Sequence, residues 1–164
     1  MARSARINKS AAFVAAFLMM MGVAAGSWAA TAPPLHLSGA VRGRAIALPT
    51  NADAGAEYSL RASGSLNIGR TTISGSVHGA GFIAVGHCTG SLDLRTAAGT
   101  LRLTLRSSSA VKGFTMCTAY SWVVTASSGR YAGRRGSGVV RVIASPNAAI
   151  ISFGNVLLSE VGGW

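Results

Sequence analysis

Residues 127–140, SSGRYAGRRGSGVV, combine glycines with arginines, a composition that phosphate-binding loops also use. A phosphate loop needs a preceding strand, glycines whose N–H groups face the anion, and a following helix. Here the glycine spacing at 133–138 is the dinucleotide pattern in reverse, and the Walker spacing is missing. The residues that follow, VVRVIAS, are β-branched and alternating, which predicts a strand. The segment is therefore predicted to be a β-hairpin.

We expect the glycines of this hairpin to serve the backbone, because glycine adopts positive φ readily and admits a neighbouring strand closely. The residues assigned to the hairpin structure are Gly129, Tyr131, Gly133 and Gly136, with the tyrosine pointing inward. A Gly133→Val variant should fold poorly, since a β-branched residue resists positive φ. The arginines should face water and form a basic rim, a candidate binding surface made of Arg130, Arg134 and Arg135.

A zinc site would need three or four ligands at one point. The candidate ligands are His36, His78, His87, Cys88 and Cys117. A tight turn at 79–81 would place His87 opposite Ile73 and separate the histidines along a hairpin. We therefore predict no metal site and no cofactor.

Nucleophilic catalysis lacks its usual sequence signature. The elbow G-x-S-x-G is absent, although serines, histidines and aspartates occur in the chain. The four carboxylates are Asp53, Glu57, Asp93 and Glu160, of which the first two flank a loop and are expected to face solvent. No catalytic residue is predicted, and a non-enzyme is favoured over an enzyme.

The first thirty residues have the three parts of a secretory signal peptide. Basic residues precede an uncharged apolar run at 11–25, and the small residues Ser27 and Ala29 follow it. The run is shorter than the ~20 residues that span a bilayer, which disfavours an uncleaved anchor. We predict cleavage after Ala29 or Ala30, export to the periplasm or the medium, and a single domain over 31–164.

The two cysteines, Cys88 and Cys117, are a candidate disulfide, because an exported chain meets an oxidising compartment. The bond would close a loop of about 30 residues and stabilise the fold by roughly 3–4 kcal/mol. Two buried thiols are the alternative.

The net charge of the chain is compatible with an anionic partner. Without residues 1–30 it keeps 12 basic and 4 acidic residues, a net charge of +8. Nucleic acid, lipopolysaccharide, acidic polysaccharide and membrane surfaces all attract such a protein. The bases are spread out, with the densest group at 130–141, and no specific nucleic-acid motif occurs. A compositional bias toward arginine is the favoured explanation, because no run of five or six like charges occurs.

Alternation of apolar and polar side chains dominates the chain after residue 35. In GTLRLTLRS, 99–107, the leucines share one face and the polar residues share the other, as in a half-buried strand. The same pattern predicts eight strands at 36–47, 57–68, 71–78, 81–95, 99–107, 118–127, 136–144 and 147–153, with a bend at Gly86 or Gly90 in the longest. Such strands predict an all-β domain, a single antiparallel barrel of about eight strands with a sandwich as the alternative. Small inward residues favour the barrel, because they permit curvature.

The segment TASSGRYAGRRGSGVVRV, 125–142, resembles the hairpin of allene oxide cyclases and plant dirigent proteins. Their pattern is roughly T-G-G-[ST]-G-x-[FY]-x-[GA]-x-x-G followed by a strand. The matching residues are Thr125, Ser128, Gly129, Tyr131, Gly133 and Gly136, whereas Ala126 and Ser127 stand where the pattern has glycines. The segments GFIAVGHCTGSLDL, 81–94, and GTLRLTLRS, 99–107, also look like secreted bacterial proteins that bear this hairpin. The resemblance as a whole spans about 57–143 and implies an eight-stranded antiparallel barrel. It also implies a homo-oligomer, since these barrels are often trimers. The cyclases' polar catalytic residues do not carry over, because 36–47 and 57–68 offer little besides Glu57.

These observations favour an exported, soluble barrel that acts as a non-catalytic binding or structural module, with an anionic polymer or surface as its partner. One alternative is an isomerase- or cyclase-like enzyme with an apolar cavity inside the barrel, lined by Tyr120, Trp122 and Val124. The other is a small outer-membrane barrel, for which an aromatic content of 7% is too low to form two girdles.

Overall fold

A computed structural model describes residues 32–50, 55–80, 86–111 and 116–154. The predicted signal peptide, the carboxylates Asp53 and Glu160, and the tight turn expected at 79–81 beyond Ala80 lie outside these residues. Among the described residues, no helix is both long and apolar enough to cross a membrane.

The described chain consists of eight strands and one short 3-10 helix. The strands are β1 (Gly39–Leu48), β2 (Glu57–Leu66), β3 (Gly69–His78), β4 (Thr89–Thr96), β5 (Gly99–Ser107), β6 (Ala119–Ser127), β7 (Ser137–Ser145) and β8 (Ala148–Phe153), and the 3-10 helix spans Gly129–Tyr131. Each strand pairs antiparallel with the next, and β8 pairs with β1. The sheet therefore closes into a barrel, which confirms the predicted fold and excludes the sandwich.

The interior of the barrel is filled by apolar side chains. In β5, Leu101, Leu103 and Leu105 are buried while Arg102, Thr104 and Arg106 between them are exposed, as the alternation predicts. Every strand contributes at least two such inward residues. Trp122 packs edge-on against Phe153, with ring centroids 6.4 Å apart. Tyr120 and Trp122 are thus part of the core, where burying them stabilises the fold by removing apolar area from water.

Glycine at inward positions allows the strands to approach closely where the small barrel curves. At Gly75, a Cβ atom would lie 2.0 Å from the carbonyl oxygen of Ser91 on β4, so a larger residue would push the two strands apart. This is the role that small inward residues were expected to play.

The connection between β3 and β4 differs from the tight turn predicted at 79–81. Ile73 pairs with Leu94 rather than with His87, and β4 begins only at Thr89. Three backbone hydrogen bonds explain the longer path. Gly79 N donates to Ala56 O at 2.7 Å, which holds the end of β3 on the preceding connection. Gly86 and Val111 exchange backbone bonds of 3.0 and 2.7 Å, which holds the chain before β4 on the β5–β6 connection.

Candidate binding surface

The barrel has two ends that differ in their connections. The hairpin end carries the turns at 67–68 and 97–98, the segment 128–136, and residues 32–38. The loop end carries the described parts of the longer connections after β1, β3 and β5, together with the turn at 146–147. The outer wall between the ends presents mainly arginine, serine and threonine, with Ile46, Leu48, Val123 and Val139 exposed among them, whereas the inside is apolar. A membrane-spanning barrel has the reverse arrangement.

Segment 128–136 is not an open loop, because it packs on the turn between β4 and β5. Arg130 N donates to Ala98 O at 2.8 Å, and Ser128 N donates to Thr100 O at 2.9 Å. Gly129 adopts φ 63°, and a Cβ atom there would lie 2.5 Å from the Ala98 carbonyl oxygen. Gly133 also has positive φ, 72°, but has open space around it. The first glycine is therefore required by conformation and packing, the second by conformation alone.

Tyr131 connects this segment to the rest of the hairpin end. Its ring is half-buried and packs against the core. Its hydroxyl lies 3.2 Å from Thr96 Oγ1 and donates to Ile68 O at 3.4 Å. One side chain thus links three connections of the barrel.

Residues before β1 lie against the same end. Leu35 N donates to Arg135 O at 2.7 Å, and Leu35 is buried. Asn67 accepts a bond from Ser38 N through Oδ1 and donates to His36 O through Nδ2, both at 2.9 Å. The hairpin end is consequently held by backbone and amide hydrogen bonds along its whole width.

The arginines predicted from the sequence lie on this end. Arg130 and Arg135 are exposed, and Arg134 is half-buried, with a buried Nε atom that has no hydrogen-bond partner among the described residues. The structure adds Arg70, the second residue of β3 after the 67–68 turn, and Arg95, the last but one residue of β4 before the 97–98 turn. Sequence reasoning missed both because they are far from 130–135 in the chain.

Acidic side chains are scarce beside this group. The described residues include eleven arginines and two carboxylates, Glu57 and Asp93. Glu57 lies at the loop end, where it begins β2. Asp93 is paired with Arg102, which donates to it through Nε at 2.7 Å and through Nη2 at 3.0 Å. The five arginines of the hairpin end therefore form a basic surface, here defined as Arg70, Arg95, Arg130, Arg134 and Arg135.

A groove of about 350 Å³ adjoins the basic surface on the outer wall. It lies where the register between β5 and β6 shifts after Arg102, so that Thr125 is an extra residue. Thr125 and Ala126 are both exposed as a result, which breaks the alternation of β6. The groove is lined by Asp93, Arg95, Thr100, Leu101, Arg102, Ala126, Ser127 and Ser128.

The hydrogen bonds across this groove fix its polar atoms. Thr100 Oγ1 and Ser128 Oγ lie 2.6 Å apart. The hydrogen bond from Arg102 is the main reason that the pKa of Asp93 lies below its ordinary value, and the charge of Arg95 lowers it further. Asp93 is therefore a carboxylate at neutral pH.

The loop end is held by a covalent bond. Cys88 and Cys117 form a disulfide with Cα atoms 6.0 Å apart, which confirms the predicted pairing. Cys88 N donates to Ser107 Oγ at 3.1 Å, and His87 Nδ1 lies 2.9 Å from Ser107 O. His87 is thus half-buried against β5, and the two cysteines are unavailable as metal ligands.

Three polar side chains at the loop end have the order of a catalytic triad. Ser76 Oγ lies 3.3 Å from His78 Nε2, and His78 Nδ1 lies 3.4 Å from Glu57 Oε2. They face outward on β2 and β3, both of which pair with a neighbour on each side. The N–H groups around Ser76 therefore belong to the sheet ladder, and no oxyanion hole adjoins the serine there. We interpret the cluster as a cross-strand polar network.

The remaining candidates for metal binding do not converge. His36 lies at the hairpin end, whereas His78 and His87 lie at the loop end. Within the described ranges, no three His, Cys, Asp or Glu side chains are grouped closely enough to hold a metal ion.

Comparison with known proteins finds no matching family profile, no similar curated protein and no similar solved structure.

Proposed function

We propose that this protein is an exported, non-catalytic binding module that attaches to an anionic polymer through the basic surface at its hairpin end. The observation that carries the proposal is this group of five arginines, of which only Arg95 interacts with a described carboxylate, that of Asp93.

The filled interior supports binding on the outside. Trp122, Tyr120, Phe153 and the leucines of β4 and β5 are among the largest fully buried side chains. Tyr120 Oη is buried without a hydrogen-bond partner among the described residues, and burial raises its pKa to about 12. Thr71 and Ser107 are also buried, but their hydroxyls donate to the backbone oxygens of Gly69 and Ser109. The described interior therefore lacks a convergent set of free polar groups, and the cyclase-like alternative lacks support from the core.

The ordered backbone of the hairpin end favours specific binding over non-specific electrostatic attraction. The backbone beneath Arg130, Arg134 and Arg135 is bonded to the 97–98 turn and to Leu35. Side chains that start from an ordered backbone lose less entropy when they bind, which improves affinity.

Two further features support export of the protein. The disulfide is consistent with an oxidising compartment, and the first thirty residues have the pattern of a signal peptide. An exported basic protein meets the acidic polysaccharides of cell surfaces, and these are the anionic polymers of this proposal. The hairpin residues and the closed eight-stranded barrel also support kinship with the allene oxide cyclase and dirigent barrels, which we include in the proposal.

The test measures binding of the processed protein, produced from the full chain, to fluorescent heparin and polyphosphate by anisotropy. A triple variant, Arg130→Gln, Arg134→Gln and Arg135→Gln, should lose about tenfold or more in affinity for both polymers. The matched control is Arg44→Gln, Arg61→Gln and Arg106→Gln, which removes the same charge from exposed positions outside the hairpin end. Equal losses in the two triple variants, or no binding by the unmodified protein, would overturn the proposal.

A further inference from the structure

We infer that the groove beside the basic surface recognises a uronic-acid unit of an acidic polysaccharide. The inference rests on the proposed function and deepens it, because it names the class of polymer and the residues that distinguish it.

The groove presents paired donors and acceptors of the kind that sugar hydroxyls require. Arg102 uses two of its five N–H groups on Asp93, so others remain as donors, and the Asp93 oxygens keep lone pairs as acceptors. A sugar hydroxyl both donates and accepts, and neighbouring ring hydroxyls therefore suit this fixed carboxylate–guanidinium pair. The hydroxyls of Thr100 and Ser128 form a second pair of the same character on the same groove.

A carboxylate on the sugar is recognised by Arg95. This arginine is exposed, lines the groove, and makes no hydrogen bond or salt bridge with a described residue. Its guanidinium can bind a carboxylate with two parallel hydrogen bonds. Arg95 also belongs to the basic surface, so a chain of uronate units that leaves the groove continues onto further arginines.

The size of the groove and the presence of Asp93 narrow the ligand further. A volume of about 350 Å³ is small for a ligand site and fits one sugar ring better than an extended aromatic molecule. Asp93 repels an anion that has no hydrogen to donate, such as polyphosphate, but accepts hydrogen bonds from hydroxyls. It therefore selects a hydroxylated polyanion over a bare one.

The test compares binding of the processed protein to oligogalacturonate and to polyphosphate by calorimetry. Asp93→Asn should weaken oligogalacturonate binding by about tenfold, because it loses the fixed acceptor pair, while polyphosphate binding stays equal or becomes tighter. Glu57→Gln, which removes the other described carboxylate at the loop end, is the matched control and should change neither. A second variant, Thr100→Ala with Ser128→Ala, should weaken oligogalacturonate alone, and it keeps the inference testable if Asp93→Asn is unstable.

The outcomes separate the two proposals. If the unmodified protein binds both polymers equally and neither groove variant changes oligogalacturonate binding, the uronate inference is wrong and the anionic-binding function stands. If the unmodified protein binds neither polymer, both fail. If Glu57→Gln weakens oligogalacturonate as much as Asp93→Asn does, the effect is one of net charge and the groove is not the site.

Discussion

The two ends of the barrel reach order by different means. At the hairpin end, short turns and segment 128–136 are joined by backbone hydrogen bonds, by Asn67 and by the Tyr131 hydroxyl. At the loop end, the connections are longer, and a disulfide between Cys88, directly before β4, and Cys117, before β6, adds a covalent link to backbone hydrogen bonds such as those between Gly86 and Val111. Charge follows the same division, because the hairpin end is basic whereas Glu57 lies among histidine and serine at the loop end.

This difference indicates where a binding surface can be built. Several backbone hydrogen bonds fix the conformation of the hairpin end, while the side chains of Arg130 and Arg135 remain exposed. A single covalent bond limits the unfolded chain but specifies less of the local surface. The following variants test that contrast, beginning with the largest expected effect.

Removing the disulfide should weaken the loop end most. Cys88→Ser with Cys117→Ser should lower the free energy of unfolding by about 3–4 kcal/mol, because a crosslink across 29 residues restricts the unfolded chain. Urea denaturation measures the loss, and reduction of the unmodified protein provides the control. Below its unfolding transition the variant should still bind anionic polymer normally. Unchanged urea stability would show that the disulfide is not what orders this end.

Gly129→Val should disrupt the hairpin end by about 2–4 kcal/mol, since it adds a clash with the Ala98 carbonyl to the cost of positive φ. Gly133→Val is the matched comparison, because it has positive φ and no close neighbour, and should cost about 1–3 kcal/mol. Thermal unfolding of both variants measures the difference. Equal losses would mean that packing on the 97–98 turn adds nothing, and an unchanged Gly133→Val would refute the need for positive φ.

Tyr131→Phe should cost about 1 kcal/mol, because it removes the hydroxyl shared by Thr96 and Ile68 and keeps the ring in place. Urea denaturation of this variant, of Thr96→Ala and of the double variant gives the coupling energy. Fully additive losses would show that the hydroxyl does not join the turns.

Tyr120, inside the loop end, should matter only in alkali. The unfolded tyrosine loses its proton near pH 10, whereas burial raises the pKa of folded Tyr120 to about 12. The folded state then binds more protons, so the free energy of unfolding falls as pH rises from 10 to 12. Tyr120→Phe should flatten that decline and leave stability near pH 7 within about 1 kcal/mol, with Tyr131→Phe as the control. A decline of equal slope in Tyr120→Phe would contradict the assignment.

The strands could be predicted from the sequence because apolar and polar side chains alternate along them. The leucines of β5 alternate with polar residues, so their face, and with it the strand, follow directly. The turns at 67–68, 97–98 and 146–147 lie at or beside the gaps between the predicted strands, the last of them with Asn147 at positive φ. The β3–β4 connection was predicted wrongly because its glycines look like a tight turn, while the bonds that lengthen it reach to Ala56 and Val111.

The surface was harder to predict because it is assembled from distant strands. Arg70 and Arg95 join the hairpin arginines only through the closure of the barrel. The groove depends on the extra residue Thr125, and a shift of register between two strands leaves no mark in either strand alone. The Asp93–Arg102 pair depends on a different register, that of β4 with β5.

The pairing of β1 with β8 has a consequence for how the molecule matures. As the polypeptide emerges during synthesis, β2 to β6 find both of their sheet neighbours in adjacent segments, but β1 and β7 each keep an unpaired side until residues 148–153 appear. Closure of the barrel is therefore delayed to nearly the final step. Until then, the two open edges can pair with strands of other chains, and the arrival of β8 removes both edges.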